Sequence, residues 1–278
     1  MEFTSADARR HYDAVREVLA GTVVGLDFDG TLSPVVDDPE AARLHAGAPG
    51  VLLDLAEAVR AVAVITGRPA RQAIAMGDLD ALGDAMLDRG AELFVFGQYG
   101  NERWSASEPR IRSPRPPAGL ASFERELPGV LRRAGAADAY VEEKGLAVAV
   151  HTRRMDDPTG AFERLVEPIT ALARRHRLGI EPGRNVIEVR SAEMHKGQAL
   201  RTFVAQQEAA GVVFAGDDLG DVEAFEAVRA LRSGGLPGLV VCSASSEQPA
   251  LVRLADVVVD GPDGVVELLS SLASPSLA

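Results

Sequence analysis

Short apolar runs that each stop on an acid, a hydroxyl or a glycine constrain this chain more than any other feature. Val23-Val-Gly-Leu stops at Asp27, Ala61-Val-Ala-Val-Ile at Thr66, and Phe94-Val-Phe at Gly97. Further on, Gly211-Val-Val-Phe-Ala stops at Gly216-Asp-Asp, Leu239-Val-Val-Cys at Ser243, and Asp256-Val-Val-Val at Asp260-Gly. Runs this short and continuously apolar read as strands covered on both faces, which is how parallel sheets are buried. Helical segments fall between them: one capped by Thr4 or Ser5 and running to Leu19, one opened by Pro49, a short one after Pro69, and a last one from Asp263 to Leu272. Strand-helix alternation predicts an α/β fold with one Rossmann-like parallel sheet.

The alternation is interrupted once. Ser113-Pro-Arg-Pro-Pro-Ala-Gly is a proline-rich connector. Beyond it the spacing predicts a helix over Leu120–Ala134 broken near Pro128 and a strand pair including Leu146-Ala-Val-Ala-Val-His-Thr. A long helix from Pro158 to about His176 and a strand over Asn185–Arg190 complete the insert. This reads as an inserted α+β domain with a partly antiparallel sheet over 108–190, and a discontinuous core over 1–107 and 191–278.

The formal net charge of -12 argues against a broad basic surface for nucleic acid or an anionic membrane. No apolar stretch reaches the ~18 residues that span a bilayer. The charged first segment lacks the apolar region of a signal peptide. A soluble, cytoplasmic protein is expected. Cys242 is the only cysteine, so neither a disulfide nor a cysteine zinc site can form within the chain; its apolar run makes it a buried small hydrophobe. The five histidines lack metal-ligand spacing, and His11, His45 and His176 read as solvated.

Ligands of open parallel sheets bind beyond the carboxyl ends of the strands. There the sequence places Asp27, Asp29, Thr66, Asp217, Asp218 and Asp221, with Lys196 on a nearby segment. Carboxylates so close together repel unless a cation sits among them. Hard oxygen donors without histidine or cysteine point to Mg²⁺ rather than Zn²⁺. A hydroxyl and an ammonium suit phosphate oxygens, so the set reads as phosphoryl-transfer machinery. Alternation along an extended chain lets Asp27 and Asp29 face one phosphate.

Asp27-Phe-Asp-Gly-Thr-Leu resembles the first motif of the haloacid dehalogenase-like superfamily. Thr66-Gly-Arg68, Lys196-Gly and Gly216-Asp-Asp-Leu-Gly-Asp221 resemble its second, third and fourth, in order. The resemblance implies Asp27 as nucleophile and Asp29 as general acid/base. It implies a Mg²⁺ site made by Asp27, the Asp29 carbonyl and Asp217, with Asp218 and Asp221 as supports. Thr66, Lys196, Gly30 and its neighbouring amides, and Arg68 would surround the phosphoryl group.

The insert's position is similar to the α/β cap of the superfamily's sugar phosphatases. Gly97-Gln-Tyr-Gly-Asn-Glu-Arg-Trp104, Glu142–Arg153 and Gly183–Arg190 resemble segments of the trehalose-6-phosphate phosphatases. That resemblance implies a sugar phosphate substrate, recognised through Glu142, Lys144, Asn185 and Glu188, and functional pairing with a trehalose-6-phosphate synthase. The chain departs from the pattern at Gly220, Val222 and Thr152, where threonine, glutamate and an aromatic residue are common. A phosphatase of another sugar phosphate, a phosphotransferase and a catalytically silent partner of a synthase remain alternatives.

Overall fold

The computed structural model describes residues 1–36, 38–183, 185–191, 195–244 and 249–274. In chain order the elements are β1 (Glu2–Phe3), α1 (Ala6–Glu17), β2 (Thr22–Leu26), α2 (Ala48–Ala56), β3 (Ala61–Ile65), α3 (Ala70–Gly77), α4 (Leu79–Leu87), β4 (Glu92–Gly97) and β5 (Glu102–Ser105). Next come α5 (Leu120–Arg133), β6 (Tyr140–Glu143), β7 (Val148–His151), α6 (Pro158–Arg175), β8 (Leu178–Gly183) and β9 (Val186–Ser191). The chain then runs through α7 (Lys196–Gln206), β10 (Gly211–Gly216), α8 (Val222–Ser233), β11 (Gly238–Ala244), α9 (Pro249–Val252), β12 (Val257–Asp260) and α10 (Gly261–Ala273).

Two compact units result: Met1–Ser113 with His195–Ala278, and Pro114–Met194. These divisions lie beyond the expected ones at 107/108 and 190/191. At the first, the reason is a backbone bridge: Arg103 and Arg112 exchange both hydrogen bonds, 2.9 and 2.8 Å, and tie the segment after β5 to the core.

The core unit is one eight-stranded sheet in the order β1-β12-β11-β10-β2-β3-β4-β5. Its six central strands are parallel, while β1 and β5 close the edges antiparallel. Burial on both faces explains the unbroken apolar runs. One face holds Val24, Leu26, Val62 and Val64 against Val15 of α1, Leu52 and Leu55 of α2, and Leu268 and Leu269 of α10. The other holds Val23, Ala63, Ile65 and Phe214 against Leu200 and Phe203 of α7 and Phe225 and Val228 of α8. Cys242 belongs to this second layer; burial, followed by Asp217 and Asp221, pushes its thiol up to about 11.

Besides the two-residue β1, three elements were not apparent from sequence. The helix α4 follows α3 through a single left-handed residue, Asp78 (φ 49°). The edge strand β5 reads Glu-Arg-Trp-Ser, and its charges mask the period. In the second unit, β8 adds a fourth strand, so the sheet β6-β7-β9-β8 is wholly antiparallel rather than partly so.

That sheet packs one face on α5 and α6: Val148, Val150, Ile187 and Val189 meet Phe123, Leu127, Leu165 and Ile169. Pro128 does not break α5, which runs unbroken to Arg133. The proline is exposed, so the carbonyl it cannot serve faces the wet side of the helix, where water satisfies it. His11, His45 and His176 are not freely solvated: they lie 2.9, 2.9 and 3.0 Å from carboxylate oxygens of Asp256, Asp263 and Glu126.

Candidate active site

The ends of β2, β3, β10 and β11 converge with the start of α7. Asp27 follows β2 and is held in line by its amide, which donates to the Ala215 carbonyl of β10 at 2.9 Å. Lys196, the first residue of α7, is buried, and its Nζ sits 2.8 Å from Asp27 Oδ1 and 2.7 Å from Asp221 Oδ1. Asp221 is wholly buried. Its other oxygen accepts the amides of Asp217 and Asp218 at 3.0 and 3.2 Å, which folds the β10–α8 loop back on itself.

Four carboxylates, Asp27, Asp217, Asp218 and Asp221, thus share one ammonium. Burial pushes the Asp27 carboxyl up; Lys196 opposes this, and the other three acids add to it. Asp217 is pushed up to about 8 by burial first, then by Asp218 and Asp221. Burial alone would lower the Lys196 ammonium, but Asp221, Asp27 and Asp218 outweigh it and raise it well above its ordinary value. The cluster lacks positive charge.

Carboxylate oxygens of Asp27, Asp218 and Asp221 lie within 4.8 Å of one another. Both Asp221 oxygens are already engaged, by Lys196 and by the two amides. Asp217 Oδ1 is buried with no hydrogen-bond partner among the described residues. An orphaned buried carboxylate oxygen beside two like charges is what a cation would satisfy. The donor set therefore fits a divalent metal. This cluster includes Asp218 and Asp221, expected from sequence as supports, and does not include Asp217.

Asp29 lies one turn further, partly exposed, and is gripped by Arg68: Nε to Oδ2 at 2.6 Å and an η-nitrogen to Oδ1 at 2.7 Å. Arg68 thus contacts the second acid rather than standing free toward a phosphate. Its guanidinium also stacks over the Phe28 ring at 5.8 Å. Thr66 is buried, and its Oγ1 accepts the Arg68 amide at 3.1 Å. Gly30 adopts φ +73°, and a β-carbon there would fall 2.1 Å from Asp217 Oδ2. Only glycine fits between this turn and that carboxylate.

The Gly97–Trp104 segment has a role that its residue types alone did not reveal. Gln98 and Tyr99 both take left-handed backbone conformations, φ 46° and 59°. Their amides donate to the Arg68 and Thr66 carbonyls at 2.8 and 2.9 Å. Glu102 Oε2 accepts the Ala70 amide at 2.6 Å and caps α3. The segment is a clamp on the Thr66-Gly67-Arg68 loop. Sequence reasoning also missed Ser243, whose buried hydroxyl donates to the Gly30 carbonyl at 2.6 Å.

In the second unit, Glu142, Ala149, Glu188 and Glu181 stand in one cross-strand row, and directly opposed residues share a face. It is the face turned away from α5 and α6. Lys144 Nζ donates to Glu188 Oε2 at 2.5 Å, and Glu142 Oε2 lies 2.9 Å from His151 Nε2. Arg190 pairs with Glu181 at 2.8 Å. Glu188 is buried, and its Oε1 has no hydrogen-bond partner among the described residues. Three of the four expected recognition residues therefore meet on one polar face. Asn185 instead occupies the β8–β9 turn with φ 56°. Its carbonyl accepts the amide and, at 3.3 Å, the hydroxyl of Thr152, which also donates to the Pro158 carbonyl at 2.8 Å. Thr152, where an aromatic residue was anticipated, ties the end of β7 to that turn.

A parallel sheet with paired aspartates after β2, a hydroxyl after β3, a lysine opening α7 and an acidic loop after β10, interrupted by an inserted unit, shares the fold of a solved haloacid dehalogenase-like protein of Bacteroides thetaiotaomicron, with TM-score 0.62 at 12% identity, covering 90% of this chain and 99% of that one. The trehalose-phosphatase family profile matches residues 25–85 and 134–258, and the chain belongs to that family. It is 32% identical over 281 residues to a trehalose-phosphate phosphatase of Mycobacterium avium, covering 96% of this chain and 66% of that protein. It is 35% identical over 239 residues to an uncharacterized glycosyl hydrolase of Mycobacterium tuberculosis, covering 81% of this chain but 17% of that much longer protein. The solved C-terminal domain of Candida albicans trehalose-6-phosphate phosphatase superposes with TM-score 0.74 at 17% identity, covering 98% of each chain. No helix among the described residues is long and apolar enough to cross a membrane.

Proposed function

We propose that this protein is a Mg²⁺-dependent phosphatase that hydrolyses trehalose 6-phosphate to trehalose and phosphate through an aspartyl-phosphate on Asp27. The observation that carries this reading is the buried ion pair between Asp27 and Lys196 beside an orphaned Asp217 oxygen. Lys196 opposes the burial that pushes the Asp27 carboxyl up and holds the nucleophile in place, and the same ammonium suits a phosphoryl oxygen. Asp27 Oδ2 would attack phosphorus while the bond to the sugar oxygen breaks, and Asp29 would give that oxygen its proton. Asp29 would then take a proton from the water that attacks phosphorus, returning Asp27 to a carboxylate. For either transfer, one Asp29 oxygen has to turn away from Arg68.

Asp27, Asp217, Asp218 and the Asp29 carbonyl would hold the metal. When bound, it supplies positive charge to oxygens that gain negative charge in the transition state. Thr66 and nearby amides would orient the phosphoryl group. Sugar recognition is assigned to Glu142, Lys144 and Glu188, whose charged hydrogen bonds suit hydroxyls, and to the neutral amide of Asn185.

The test is phosphate release from a panel of sugar phosphates, with Asp27→Asn and EDTA as controls. Trehalose 6-phosphate is expected to be the best substrate. Asp27→Asn is expected to abolish turnover with an unchanged circular dichroism spectrum, and EDTA to silence an activity that Mg²⁺ restores. Activity of Asp27→Asn within about tenfold of wild type, a loss of only ~1.4 kcal/mol in barrier, would rule out the covalent route.

A further inference from the structure

Ser243 is the last but one residue of β11, the third strand from the sheet edge, and no part of the proposed chemistry uses it. It is wholly buried. Register places it beside Asp217: Gly216 of β10 pairs with Cys242 of β11, the last pair of those two strands, and Ser243 follows while still paired with Val259 of β12. The hydroxyl reaches across 213 residues of sequence to donate to the Gly30 carbonyl at 2.6 Å.

Gly30 is otherwise fixed from two sides. Its amide donates to the Ser33 carbonyl at 2.7 Å, and its α-carbon packs against the Asp217 carboxylate, where a β-carbon would approach to 2.1 Å. Both peptide groups of the residue are therefore held, one by Ser33 and one by Ser243. A trans peptide is rigid, so fixing these two planes fixes Gly30 between them and the Asp29 carbonyl, which belongs to the first. A buried serine at a strand end is more often simply a satisfied polar group. Here, however, its acceptor is the left-handed glycine that adjoins the acid/base and touches a candidate metal ligand.

We infer that Ser243 is a positioning residue for this phosphatase, which sets the Asp29–Gly30 turn against Asp217 through the Gly30 carbonyl. The inference rests on the reading of Asp27 and Asp29 as the reacting pair. Removing the hydroxyl leaves a buried carbonyl without a donor, and the turn then shifts to find one. The defect lies on the phosphoryl side and is independent of the leaving group.

The experiment compares Ser243→Ala with wild type on trehalose 6-phosphate and on an aryl phosphate, together with inhibition by inorganic phosphate and the Tm. Ser243→Ala is expected to lower kcat/KM on both substrates by the same factor, about tenfold to a hundredfold, mostly in kcat, and to weaken inhibition by phosphate. Because alanine also changes the packing volume, the near-isosteric pair Ser243→Thr and Ser243→Val isolates the hydroxyl: threonine is expected to restore activity that valine does not. A lowered Tm with unchanged kinetics would overturn the inference, as would equal activity of the threonine and valine variants. If wild type hydrolyses neither substrate and binds no phosphate, it is the underlying site assignment that fails.

Discussion

At the scale of single residues, which side chains gather at the ends of the core strands was legible, but what each one touches was not. Asp27 and Asp217 declared themselves because acids at the ends of apolar runs need a reason to be there, and Lys196 through the Lys-Gly motif that it opens. That Arg68 grips Asp29 depends on two loops 39 residues apart, and that Ser243 holds Gly30 on two that are 213 apart. No local pattern encodes such pairs. The second unit gives a sharper case. Glu188 is not a solvated carboxylate offering both oxygens to hydroxyls, because one is taken by Lys144 and the residue is buried. Truncation to alanine would strand the Lys144 ammonium and confuse folding with recognition. Glu188→Gln keeps the shape and removes the charge. On the proposed function it is expected to cut kcat/KM for trehalose 6-phosphate by about tenfold to a hundredfold, the span of one charged hydrogen bond. An aryl phosphate, with no sugar to recognise, is expected to react at nearly the wild-type rate. Equal losses on both substrates would make Glu188 a structural member of the sheet.

At the scale of elements, legibility followed burial. The strands β2, β3, β10 and β11 are covered on both faces and were readable as runs. The strands β1, β5 and β8 were not: β1 is two residues long, β5 is charged, and β8 carries Gly179, Glu181 and Pro182. What β5 does for function is specific. Its first residue, Glu102, caps α3, and the turn before it sets the Thr66–Arg68 loop. Glu102→Ala is expected to remove one cap, about 1 kcal/mol, and so to lower Tm by roughly 2–4 °C. Because the uncapped end of α3 adjoins the loop, KM for every phosphate ester is expected to rise in parallel. A lowered Tm with unchanged KM would show that Gln98 and Tyr99 hold the loop without help.

For the whole molecule, the charge is unevenly shared. Residues 114–194 carry 13 basic against 12 acidic side chains, while the remainder carries 16 against 29. The candidate catalytic acids thus sit in a unit that is itself strongly acidic, so on the proposed function a bound cation matters for folding as well as chemistry. Asp217 and Asp221 are pushed up to about 8 and about 6 by burial first, from an ordinary value of 3.8. The folded chain therefore holds protons that the unfolded chain has already released. Linkage then has a definite sign: without metal, stability is expected to fall as pH rises from about 4, where unfolded carboxyls ionise, toward about 8, where the folded Asp217 does. A divalent ion competes with those protons and binds only the folded site, so its stabilisation grows over the same window. Thermal melts in EDTA are expected to show Tm falling from about pH 5 to pH 8 relative to melts in excess Mg²⁺. The gap between the two curves is expected to be small at the acid end and several degrees at the alkaline end. A Mg²⁺-induced gap of the same size at both ends would mean that the ion binds without displacing protons from Asp217, and that the orphaned oxygen is not its ligand.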